Sequence, residues 1–480
     1  MGRGDVARLY HQLSAIKSVS EWRAPVAHPL VLKDFETDVL ETFPAPCKTY
    51  PPRLPTVELP RSWRSGVRSA TAVLAGRSMR RRGRLDLDQL ARLCHLSAGV
   101  LRTVEESDGR YFRLRASGSA GGRFPLELYL AARRVEGLAD GVYWFDPLGH
   151  ALAKVGPPPK GEATTLVVTG IPGRTGWRYA ERGFRHLYWD AGAMLANTIA
   201  LADDAGLDPH LRTVFPDDAV TELVGADGVQ EFPLAILTLS NRAPAIRPGG
   251  EAATGAVDRR TPREFPLITK AQHAGDGDRL GASRAPGAPL SGDPPPSAGL
   301  DEVILRRIST RIMDPTRSIG RGQLEWALAA SLRGCQVPHF LAVHAVEGLE
   351  PGLYRWPALD APIRRGDLRD ELFRACLDQA LGRDASVVVI AAVDLDQLDD
   401  RGYRTAQLEA GLVDGRLHLA AFALGIGASG MTLLDSEIPR LLGEPLAGLL
   451  LTCIGVPTYR HRPGGPPRAP IKMRPLKRTS

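Results

Sequence analysis

At 480 residues, 43% hydrophobic and 24% charged, the chain is long enough for two or three domains, and its composition is that of a globular protein. No apolar run suits a membrane span, the polar start MGRGDVARLYHQL does not read as a signal peptide, and five scattered cysteines without CxxC spacing argue against a disulfide frame or a zinc site, so a reducing cytoplasm is expected. The net charge of +7 gathers in RSMRRRGR (Arg77 to Arg84) and in the tail after Pro467; it reads either as a solvated basic surface or as attraction for an anion such as a phosphorylated cofactor or an acidic peptide, and no nucleic-acid module accompanies it.

Residues 1–65, punctuated by Pro44, Pro46, Pro51, Pro52, Pro55 and Pro60, read as a short helix followed by an extended arm. A first unit spans 66–241. In it LDLDQLARLCHLSAGVL sets Leu87, Leu90, Leu93 and Cys94 on one helical face. LELYLAARRV and TTLVVTGI read as strands, 190–204 as a buried Ala-rich helix, and FPLAILTLS as a closing core strand. From 242 to 300 Pro, Gly, Ala and Ser dominate, which predicts a mobile linker with EFPLI near Phe265 as its docking candidate. A second unit, 301–462, repeats the order: helices DEVILRRI and QLEWALAASL, strands HFLAVHAV and SVVVIAAVDL, a long helix from Gln407 to Leu424, and the strand LAGLLLTCIGV. A basic tail, 463–480, follows. Long helices mixed with strands predict an α+β sandwich.

The two units share more than their order. VEGLADGVYWFDP (Val135 to Pro147) returns as VEGLEPGLYRWP (Val346 to Pro357), and RGFRHLYWDAG from Arg182 returns as RGYRTAQLEAG from Arg401. Two ordered matches at a spacing of about 210–220 residues mark an internal duplication. Each copy lacks something the other has. Only the first carries the Gly-rich turn RASGSAGGRFPLELY; only the second carries both RRISTR and GIGASG. Complementary copies predict one composite site across their interface.

Four segments carry candidate chemistry. In RRISTR an extended backbone would point Arg307, Ser309 and Arg311 to one side, a cradle for phosphate because guanidinium binds its oxygens bidentately; a helix-end ion-pair cluster is the alternative. The first unit has the related GRSMR with Arg77, Ser78 and Arg80. GIGASG (Gly425 to Gly430) fits GxGxxG but follows a helix and is expected to precede a loop, whereas a dinucleotide fingerprint follows a strand and opens a helix. A helix cap explains Gly425, and the further glycines would let backbone approach a flat ligand. SGSAGG (Ser117 to Gly122) is a turn of small residues before a strand, and in the second unit LRGCQVP runs straight into its strand. Tyr179 stands beside Arg178, whose fixed charge is expected to favour the phenolate and lower a titration that normally lies near pH 10; a packed tyrosine is the alternative. Gln397 and Leu398 occupy that place in the second unit, so no base is expected there. His339, His344 and Cys335 lack metal-ligand spacing or an activating partner.

Taken in order, these segments resemble the nitroreductase-like flavoproteins and, within them, the SagB/McbC-type azoline dehydrogenases, which oxidise thiazolines and oxazolines in ribosomal peptides to azoles. The resemblance covers most of the chain. KTYPPRLPTVELP (Lys48 to Pro60) is similar to the family's Lys-x-Tyr-Pro and Leu-Pro arm, GRSMR and RRISTR to its Arg-Ser-x-Arg flavin-phosphate motif, GSAGGRFPLELYL to its Pro-Ser-x-Gly flavin loop, and RYAERGFRHLYWDAG to its Lys-Tyr catalytic segment. Two positions depart from the pattern: Arg178 replaces the family's Lys and cannot readily exchange a proton, and Gly118 replaces its Pro.

The resemblance implies tandem nitroreductase-like domains folded as an intramolecular pseudo-dimer with FMN between the halves. It assigns one intact site to Arg307, Ser309, Arg311, Gly425 and Gly427 with Arg460 or Arg462 from the second half, and to Ser119, Ala120 and Gly121 from the first. A reciprocal site with Arg77, Ser78 and Arg80, its Gly turn replaced by AGLDPH and its opposing loop missing, is expected to be empty. Tyr179, with Arg178, would take a ring proton from the azoline while hydride passes to flavin. An azoline-containing precursor peptide and a cyclodehydratase are the implied partners, the tandem form points to thiopeptide pathways, and no metal, nucleic acid or membrane is expected. Association of two chains stays open. An NAD(P)H-dependent nitroreductase or quinone reductase, and a non-catalytic peptide-binding scaffold, are the alternatives.

Overall fold

A computed structural model describes residues 2–20, 26–77, 83–107 and 109–474. Before the Pro/Gly-rich stretch the described chain forms β1 (Thr56–Glu58), β2 (Val100–Glu105), β3 (Tyr111–Arg115), β4 (Leu126–Ala132), β5 (Gly141–Asp146), β6 (Ala151–Gly156), β7 (Thr165–Gly170), β8 (His210–Arg212) and β9 (Phe232–Thr238). After it come β10 (His339–Val343), β11 (Gly352–Arg355), β12 (Arg364–Arg365), β13 (Val387–Val393), β14 (Gly427–Met431), β15 (Ala447–Gly455) and β16 (Ile471–Met473). One sheet runs β1-β6-β5-β4-β7-β9-β8, a second β12-β11-β10-β13-β15-β14, and a small third β16-β2-β3. Six positions of the two large sheets correspond: β6-β5-β4-β7-β9-β8 answers β12-β11-β10-β13-β15-β14. The repeated phrases carry β5 and β11, so the duplicated sequence builds a duplicated α+β fold whose two like halves form an intramolecular pseudo-dimer.

The halves meet along two long helices, Gly183–Asp204 and Asp400–Ala423, packed against each other. The Ala-Gly that ends each copy of the RGxR repeat makes this contact. A Cβ at Gly192 would stand 2.3 Å from the Leu408 carbonyl oxygen, and one at Gly411 2.3 Å from that of Trp189, so only glycine lets the backbones touch.

The repeated arginines are buried in reciprocal ion pairs. Arg182 and Arg185 of the first half each reach Asp435 of the second at 2.6 Å. Arg404 of the second half reaches Asp217 of the first at 2.8 Å, and Arg401 pairs with the same carboxylate. Burial alone would push the Asp435 carboxyl up, but the two guanidiniums outweigh it and hold it far below the usual range. These pairs explain why both helices start earlier than their apolar pattern indicates, at Gly183 and Asp400: charged residues in the first turns are buried by a partner in the other half.

The stretch 242–300 carries the helix Pro266–Ala274, with Phe265, Leu267 and Ile268 buried beside it. The tail contributes β16, parallel to β2. Among the described residues no helix is long and apolar enough to cross a membrane.

Candidate functional site

At the seam between the halves lies a cavity of about 940 Å³, within the size range of small-molecule sites. Ser119, Ala120, Gly121, Arg178 and Tyr179 of the first half and Arg307, Ser309 and Arg311 of the second all line it. Residues far apart in sequence thus come to one place because the two-fold arrangement of the halves brings the turn of one against the helix end of the other.

The Arg307 segment leaves the helix Leu300–Arg306 in extended form. Arg307 is buried and donates from Nε and Nη2 to the Ala116 carbonyl at 3.2 and 2.9 Å, tying it to the chain that enters the Gly-rich turn. Burial, with Arg102 nearby, lowers its titration to about 10. Arg311 donates its backbone N–H to the Tyr459 hydroxyl at 2.6 Å. Ser309 lies between them on the cavity wall.

Four expected residues fall elsewhere. Gly425, at φ 76°, caps the helix Asp400–Ala423 and faces open space. Gly427 opens β14 with Thr310 packed beneath it, where a Cβ would stand 2.4 Å from the Thr310 hydroxyl. The segment after Gly425 is a strand paired with β15, and the neighbours that line the cavity are Gly430 and Met431. Arg460 and Arg462 point to solvent, while His461 between them lines the cavity.

Tyr179 ends the helix Pro172–Tyr179, and its ring meets His186 edge-on at 4.0 Å between centroids. Gly121 covers its hydroxyl: at φ 58°, a Cβ there would stand 2.7 Å from both the Tyr179 hydroxyl oxygen and Arg178 Cδ. Arg178 is fixed by Asp38 at 3.1 Å. The next residue, Ala180, holds φ 45° and ψ −136°, a backbone region that is essentially glycine's. The expected lowering of the tyrosine is reversed. Burial raises the Tyr179 titration above its ordinary value, and Arg178, Arg311 and Arg123 only partly oppose this.

Two carboxyls in the cavity wall were not singled out by sequence reasoning. Asp190, on the first long helix, accepts the Ser119 hydroxyl at 2.5 Å and the Ala120 N–H at 3.0 Å. Burial pushes it up to about 7. Asp414, on the second long helix, accepts the Thr452 hydroxyl at 2.7 Å and is raised by burial to about 6. The repeat itself carries a signal for Asp190, because Glu409 stands at the matching position.

Around Glu409 the seam is closed. Glu409 accepts the N–H of Gln336 and, at 2.7 Å, that of Val337, and it pairs with Arg284 from the Pro/Gly-rich stretch. Arg284, Ala285 and Pro286 line a space of only about 30 Å³ there, together with Leu412, Arg416 and Ile199. Arg77 of the expected reciprocal motif pairs with Asp293 at 3.6 Å and donates to the Gly292 carbonyl. Ser78 and Arg80 lie outside the described residues.

Residues 115–239 match the family model described as Nitroreductase family. A candidate nitroreductase of Methanocaldococcus jannaschii is 25% identical over 173 residues, 33% of this chain and 82% of that one. The crystal structure of a candidate nitroreductase from Anabaena variabilis superposes with a TM-score of 0.70 at 23% identity, covering 94% of this chain and 99% of that one. A chain of the Escherichia coli microcin synthetase McbBCD complex with truncated pro-MccB17 bound matches at a TM-score of 0.28 and 18% identity, over 50% of this chain and 92% of that one, a likeness too slight to bear on substrate. The fold is nitroreductase-like, and the match to the Nitroreductase family lies within the first half.

Proposed function

We propose that the chain is an FMN-dependent dehydrogenase that oxidises thiazoline or oxazoline rings of a ribosomal peptide to azoles. One observation carries the reading: a single seam cavity joins Arg307, Ser309 and Arg311 to the turn Ser119–Gly121 and to Tyr179 with Arg178. These are the parts that the sequence resemblance assigns to one composite site.

The lining fits the cofactor. Two guanidiniums and a hydroxyl suit a phosphate. Both ring nitrogens of buried His186, and Nδ1 of His418, have no hydrogen-bond partner among the described residues, and both side chains line the cavity. Polar atoms left this way are rare unless a ligand satisfies them. Arg307, Ser309 and Arg311 would hold the phosphate, and Ser119 to Gly121 the ring. When bound, FMN supplies the hydride acceptor.

The chain's own residues handle the proton. Tyr179 presents its hydroxyl at the cavity wall; burial keeps it mostly a neutral phenol, and the minor phenolate form that Arg178, Arg311 and Arg123 favour is the one that takes the proton lost from the azoline. The fixed positive charge of Arg178 steadies that phenolate.

Reconstituted protein is expected to hold one flavin per chain. Mixed anaerobically, an azoline peptide should bleach the flavin band while NAD(P)H leaves it unchanged. Bleaching by NAD(P)H and not by peptide would replace this reading with a nitroreductase or quinone reductase. Protein that retains no flavin at all would point to the scaffold.

A further inference from the structure

Each long helix sets an acid at the same point of the repeat, Asp190 in one and Glu409 in the other, and each acid grips the chain about to enter its sheet. The electrostatics differ. Glu409 is matched by the Arg284 guanidinium. Asp190 is opposed by burial and by Asp414 across the seam, and is favoured only by its hydrogen bonds from Ser119 and Ala120. It is 5% exposed. The turn it holds continues into Gly121, which packs against both the Tyr179 hydroxyl and the Arg178 side chain. Contact therefore runs without a break from the Asp190 carboxylate, through Ser119 and Ala120, to the hydroxyl at the cavity wall.

We infer that Asp190 is a positioning residue, an ionisable clamp that sets the turn Ser119–Gly122 and through it the place of the Tyr179 hydroxyl. The charged carboxylate accepts both donors strongly; once protonated it must itself donate, and its grip on the turn slackens. Asp414 across the seam and Tyr179 act on it directly, and His418, Arg178, Arg307, Arg311 and His186 share the cavity wall with it. His186 is held neutral by burial. With Asp190 raised to about 7, the clamp is weakened below neutrality and closed above it. What reacts in the site rests on the function proposed above; the clamp does not.

Hydrogen exchange in ligand-free protein separates the two. Corrected for intrinsic rates, protection of the Ala120 amide should rise about tenfold as pH climbs through about 7 in the wild type. In Asp190→Asn it should be low and flat. Ser119→Ala, which removes the other donor from a half-exposed turn, should also lower Ala120 protection and serves if Asp190→Asn does not fold. In turnover, Asp190→Asn should lose the pH limb near neutrality and lower kcat about tenfold, with KM and flavin content little changed. Equal Ala120 protection in wild type and variants overturns the clamp. Protection that behaves as expected in a protein without dehydrogenase activity upholds the clamp and overturns only the proposed reaction.

Discussion

Asp190 and Glu409 lie 219 positions apart by number and occupy equivalent points of one fold. Over Asp190 the seam opens into about 940 Å³; over Glu409 it closes to about 30 Å³. The same register pairs Ala193 with Leu412, which lines the closed side, and Ile199, which also lines it, with His418 of the open side. Arg416 fills further space there, donating to the Ser331 and Arg333 carbonyls at 3.3 and 2.9 Å. Arg284 then supplies the charge that Glu409 needs. By contrast, the clasps of Arg182 and Arg185 on Asp435, and of Arg401 and Arg404 on Asp217, persist at both ends. Residues that hold the halves together have kept their two-fold relation, because each half depends on both clasps. Residues that line the seam have diverged, because one open cavity suffices.

The largest expected effect tests which end works. Tyr179→Phe should cut azole formation by about 10²–10⁴-fold while flavin content holds, since it removes one proton-transfer group from an otherwise intact cavity. Full retained activity would sink its role. The next tests whether the clasps are equivalent. Asp435→Ala takes the carboxylate from two buried guanidiniums and should cost about 3–5 kcal/mol in urea unfolding; Asp217→Ala takes it from Arg401 and leaves Arg404 with Asp276 at 3.0 Å, and should cost somewhat less. A large cost at one end and none at the other would break the symmetry argued above. Arg284→Ala leaves Glu409 buried and unmatched and should cost about 2–3 kcal/mol. Flavin stoichiometry should nonetheless stay at one, because Leu412 and Arg416 still fill the closed end. A second bound flavin would show that Arg284 alone shuts it.

Much of this was legible in the residues. Two repeated phrases were enough to indicate a pseudo-dimer, and the turn at 119–121, the pair Arg178 and Tyr179, and the segment 307–311 all reach one cavity. The failures have a common origin in burial and strand phase, which neighbours in sequence do not report. Arg178 is adjacent to Tyr179 and visible, but the burial that outweighs it is not. GIGASG reads as a turn of glycines because three of its six residues are Gly, yet pairing with β15 makes part of it a strand and turns Gly427 onto Thr310. Arg284 sits in a stretch whose composition signals no core; its partner Glu409, far along the chain, is what docks it. Asp190 could be found only by aligning the repeat with itself.

The smallest effect sharpens the account of Tyr179. Ala180 follows it at φ 45° and ψ −136°, where an L side chain is strained by about 1–3 kcal/mol. The strain persists because the residue joins two anchored pieces: Trp177 Nε1 donates to the Val39 carbonyl at 2.9 Å before it, and Glu181 accepts the Leu32 N–H at 2.9 Å after it. Ala180→Gly removes the misplaced Cβ but also frees the unfolded chain, so the net gain in unfolding free energy should be only about 1 kcal/mol. If the strained joint serves to present the Tyr179 hydroxyl to Gly121, the more stable variant should turn over more slowly with KM unchanged. A variant that is both more stable and equally fast would show that the joint merely connects two helices and leaves the placing of Tyr179 to the turn alone.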